Sequence, residues 1–171
     1  MALKGDRYEF ETTIDFFMNE VAERGGVVTL STAGSGAALD QSAALVTYSA
    51  AQSGLIPIGV LLNDMVNIDQ TRQHINFHKN EMQKGGKVTL LKKGTIVTNR
   101  IDPGVTPTKG QIAFVGPSGY ITNTNSGPLI NRKNYTGGLA IGQFDSLKDE
   151  DGYAKISVNL PQADANTYPN R

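Results

Sequence analysis

Hydrophobic and polar positions alternate with a period of two near the start of the chain. Tyr8, Phe10, Thr12, Ile14, Phe16 and Met18 share one parity. Arg7, Glu9, Glu11, Thr13, Asp15 and Asn19 share the other, broken only by Phe17. Such alternation predicts a strand or an extended arm with one apolar face. A helix over Ile14 to Arg24 competes, because Phe17, Met18, Val21 and Ala22 also fit helical spacing. Gly25-Gly26 ends either element, and Val27 to Leu30 follows as a short strand.

Ser31 to Gln41 is rich in Ser, Gly and Ala and can supply no packed core, so a flexible loop is expected there. Ala43 to Tyr48 resumes a strand. Asp64 to Gln83 is polar and weakly patterned, with room for one short helix over Thr71 to Glu81. The second half is more regular. Lys87 to Leu91 and Thr95 to Asn99 are two β-branched runs separated by Lys92-Lys93-Gly94. Gln111 to Val115 and Tyr120 to Asn123 flank Gly116-Pro117-Ser118-Gly119, a hairpin signal. Leu139 to Phe144 and Tyr153 to Leu160 flank a polar turn ending in Asp151-Gly152. In the last run Ala154, Ile156, Val158 and Leu160 alternate with Lys155, Ser157 and Asn159.

The expected fold is therefore mainly β: a small β-barrel or sandwich with extended N- and C-terminal arms and one short helix. Residues 1–30 form an N-terminal arm or the first strands, and 31–42 a flexible Ser/Gly/Ala loop. Residues 43–160 form a β-barrel-like body, and 161–171 a C-terminal tail beginning at Pro161. Glycine supports this, since 19 of 171 residues exceed the ~7% average and fall between short apolar runs.

Composition narrows the chemistry. The chain has no cysteine, which excludes disulfides, thiolate catalysis and Cys-ligated zinc. Lys plus Arg and Asp plus Glu number 16 each. That balance argues against a general nucleic-acid binder, which needs clustered positive charge to displace counterions. The start lacks the apolar region of a secretory signal, so synthesis in a reducing cytoplasm is expected. Leu55 to Leu62, broken by Pro57, is far short of the ~20 residues of a membrane span. Asn134-Tyr135-Thr136 matches a glycosylation sequon, read as accidental without a signal.

Candidate catalytic and metal groups do not assemble into a motif. His74 and His78, the only histidines, are spaced as two metal ligands on one helix face. The intervening residues lack a metalloprotease glutamate, and no third ligand is identifiable. Asp145, Asp149, Glu150 and Asp151 surround Gly152 without calcium-loop spacing, so a solvated hairpin turn is expected. Gly34-Ser35-Gly36 has no phosphate-loop frame. None of Ser31, Ser35, Ser42 and Ser49 sits in a Gly-x-Ser-x-Gly elbow. Lys84, Lys87, Lys92 and Lys93 read as protection of an exposed strand edge, in preference to a phosphate-binding patch. The expectation is a chain that is not an enzyme and takes no cofactor, metal or small-molecule substrate.

Several stretches carry a resemblance in their order and combination. They are Gly54-Leu55-Ile56-Pro57-Ile58-Gly59-Val60-Leu61-Leu62-Asn63-Asp64 and Asn76-Phe77-His78-Lys79-Asn80-Glu81. Lys93 to Asn99 and Pro107 to Ala113 follow. Gly142 to Ser146 and Asp151 to Ile156 complete the set. From about Tyr8 to Pro161 the chain resembles the capsid decoration (cement) proteins of tailed phages, including those of cyanophages. The resemblance implies a β-barrel-like body with arms, present in many copies on the outside of an icosahedral head. It implies homotrimers that bridge and stabilise neighbouring major capsid protein subunits. It carries over no catalytic residue.

From the residues themselves, Tyr8, Phe10, Ile14 and Phe16 are the expected capsid- or subunit-binding positions. Their segment either adds a strand to a neighbour's sheet edge or forms the first strand of the barrel. The alternative function is a carbohydrate- or cell-surface-binding β module of a virion fibre, with Tyr120, Tyr135 and Tyr153 as stacking faces.

Overall fold

The structure is a computed structural model that describes residues 3, 8–34, 44–48, 57–64, 81–124 and 139–160. The strands are β1 (Tyr8–Met18), β2 (Ala22–Glu23), β3 (Val27–Thr32), β4 (Leu45–Thr47), β5 (Pro57–Asp64) and β6 (Glu81–Met82). They continue with β7 (Lys87–Thr98), β8 (Ile112–Val115), β9 (Ile121–Thr122), β10 (Ala140–Phe144) and β11 (Ala154–Asn159). The protein is mainly β. Among the described residues the only helical element is a 3-10 turn at Pro117–Gly119. The helix expected over Thr71 to Glu81 falls outside the described residues, except that Glu81 opens β6. The tail from Pro161 also falls outside them.

Nine strands form one sheet in the order β1-β4-β3-β5-β7-β11-β10-β8-β9, and β1 pairs additionally with β7. That pairing closes β1, β4, β3, β5 and β7 into a small barrel. All its contacts are antiparallel except β1–β4, where Phe17 faces Leu45 and Met18 faces Val46 in parallel register. β11, β10, β8 and β9 extend from β7 as a wing, with antiparallel pairings throughout. β2 and β6 make a separate two-stranded ribbon.

β7 belongs to both parts. β1 runs antiparallel along one edge, from Tyr8 opposite Thr95 to Phe17 opposite Lys87. On the other edge β5 pairs with its first half and β11 with its second. Two expectations are corrected here. The runs on either side of Lys92-Lys93-Gly94 are one continuous strand. β7 is also paired on both edges, so its lysines protect no exposed edge. Instead Lys93 pairs with Glu11 of β1 at 3.5 Å, and the Lys87 ammonium lies 6.0 Å from the Phe17 ring centroid.

Two cores result. Met18, Val28, Val46, Leu61, Val88 and Leu90 belong to the smaller one, closed by Met82 of β6. Val60, Leu62, Leu91, Ile96, Phe144 and Ile156 belong to the larger one, with further residues of the wing. β5 and the first half of β7 divide the cores and are buried on both faces. That is why Val60-Leu61-Leu62 reads as an unbroken apolar run rather than an alternation. Leu91 and Ile96 both serve the larger core although five residues apart, an odd interval that a regular strand would send to opposite faces. β7 therefore changes face between them. Gly94 lies in this interval with φ 145°, a conformation that side-chain-bearing residues rarely adopt.

Both expected hairpins form. Phe114 pairs with Thr122 and Val115 with Ile121 across the Pro117 turn, where Ser118 takes a φ of 53°. Phe144 pairs with Ile156 across the acidic turn.

Candidate interaction surface on the first strand

β1 follows a less regular course than its sequence alternation suggests. Its register with β7 shifts between Glu9 and Glu11, between Glu11 and Thr12, and between Thr13 and Phe16. Each shift inserts or removes a residue and turns the following side chains. The residue drawn inward midway along β1 is Thr13, buried opposite Leu90, and not one of its apolar neighbours. Its hydroxyl donates to Asp15 Oδ2 at 2.8 Å.

The four expected contact residues divide accordingly. Phe16 packs half-buried against the smaller core beside Met18. Tyr8, Phe10 and Ile14 stay outside, with relative exposures of 64%, 72% and 39%. Monomer packing thus accounts for Phe16 and leaves the other three uncovered. Among the described residues no strand pairs with the outer edge of β1 before Phe17, where β4 begins. An edge strand of this kind presents backbone donors and acceptors to any extended chain that can align with it.

A second cluster ties the barrel to the wing. The Arg100 guanidinium lies 5.4 Å from the Tyr48 ring centroid and 5.3 Å from that of Tyr120. Its Nη2 is 3.8 Å from Glu23 Oε2. The Tyr48 hydroxyl accepts from the Gly26 N–H at 3.1 Å and donates to the Glu23 carbonyl. Burial of that hydroxyl pushes the Tyr48 pKa well above its ordinary value of 10, against the lowering pull of Arg100. Glu20 Oε1 takes the Tyr48 N–H at 2.6 Å and the Thr47 hydroxyl. These residues lie far apart in sequence and form no motif, so sequence reading missed them. The cluster also occupies one face of Tyr120, a suggested sugar-stacking ring. Tyr135 lies outside the described residues.

The candidate chemical groups stay apart or lie outside the described residues. His74, His78, Ser35, Ser42 and Ser49 are in the second class. Ser31 lies exposed at the end of β3, where its hydroxyl accepts from Asn19 Nδ2 at 3.4 Å. The acidic residues around Gly152 build the hairpin: Asp149 Oδ1 accepts the Tyr153 N–H at 2.7 Å, and Asp145 Oδ2 accepts from the Ser157 hydroxyl. Among the described residues no three His, Asp or Glu side chains converge as a metal site. No helix among them is long and apolar enough to cross a membrane. No protein-family model matches the chain, and no curated protein sequence matches it.

Proposed function

We propose that this chain is a structural virion protein of the decoration type. It binds the outside of an icosahedral phage head, bridges neighbouring major capsid protein subunits and stabilises them, and it performs no catalysis. The observation that carries this reading is β1, a strand with one edge built into the barrel, no described strand on its other edge before Phe17, and Tyr8, Phe10 and Ile14 exposed along it. The resemblance of the chain to phage cement proteins supplies the partner and the place.

The mechanism follows from ordinary energetics. Covering an aromatic or isoleucine side chain contributes about 1.5–3 kcal/mol, so three such residues plus a strand's hydrogen bonds suffice for a weak contact. Strand addition to β1 provides both. Assembly as a homotrimer multiplies such contacts, and avidity raises binding by ~10²–10⁴ without new interactions. A ligand that binds only the intact lattice stabilises that lattice by linkage.

Quantitative mass spectrometry of purified virions tests the reading. A copy number comparable to that of the major capsid protein is expected. Absence, or only a few copies per head, overturns it.

A further inference from the structure

We draw no further inference here: the strongest candidate, the exposed apolar side-chain patch of Tyr8, Phe10 and Ile14 on β1, belongs to the surface already described, and nothing in the structure shows what covers it.

Discussion

Leu90 and Leu91 are adjacent in the chain and both fully buried, yet each belongs to a different core. Leu90 packs inside the barrel and Leu91 against the wing, because β7 is the wall between the two. Truncating either one leaves a cavity in a close-packed interior. Leu90→Ala and Leu91→Ala are each expected to cost about 2–5 kcal/mol, measured by urea denaturation. A loss below about 0.5 kcal/mol at either position would place that residue at the surface and contradict the two-core arrangement.

At Gly94 the backbone of β1 leaves no room for a side chain on β7. A Cβ built on this glycine stands 2.1 Å from the Tyr8 carbonyl oxygen, and its φ of 145° is strained for any side chain. Gly94→Ala should therefore push the first residues of β1 off β7 as well as strain the backbone. Hydrogen exchange should show lost protection at Tyr8 to Glu11, with the β10–β11 hairpin unchanged. Retained protection in β1 would mean that β7 accommodates the side chain without releasing its neighbour.

Tyr48 predicts an alkaline limit to stability. Its proton is held more tightly in the folded state than in the unfolded chain, whose tyrosines ionise near 10. Above that pH the unfolded state binds fewer protons, so stability falls as pH rises further. Below pH 10 both states keep the proton, so this group adds no pH dependence and its contribution is fully present. Ultraviolet titration should find one tyrosine that ionises only as the fold is lost. Tyr48→Phe should lessen the alkaline decline, while leaving the Gly26 N–H without its acceptor at every pH. Ionisation of all six tyrosines near 10 in folded protein would refute the enclosed hydroxyl.

Phe10 separates binding from folding. At 72% exposure it contributes little to the monomer, so Phe10→Ser should change stability by no more than about 0.5 kcal/mol. Binding to purified heads should weaken about tenfold or more per site, in line with the loss of one covered aromatic ring. Phe16→Ala behaves oppositely, with a loss of stability from the smaller core that it packs against. If Phe10→Ser binds heads normally, β1 is not the contact surface.

Most of the secondary structure was legible because its causes are local. Gly116-Pro117-Ser118-Gly119 and Asp151-Gly152 mark turns by backbone conformation alone, and both hairpins stand where those residues indicate. The alternation from Ala154 to Leu160 survives intact, because β11 pairs with β7 and β10 in unbroken register. The lysine run misled, since edge protection and pairing to acidic β1 draw on the same residues. Only the neighbours of β7 distinguish them. The Tyr48–Arg100–Tyr120 cluster was invisible, because the partners are brought together by separate strands and share no local spacing.

The sequence by itself determined that this is a β protein with many turns, without cysteine chemistry and with an amphipathic first strand. Those properties depend on neighbours within a few residues: side-chain alternation, glycine and proline at turns, and the inventory of reactive groups. Only the tertiary structure decided that β1 closes a barrel against β7, and that Thr13 goes inward while Tyr8, Phe10 and Ile14 stay out. The reason is that a strand's faces are assigned by its partners. Register shifts between β1 and β7, and the change of face in β7 near Gly94, come from long-range pairing. A period of two along one segment cannot encode which of its faces a distant strand will cover.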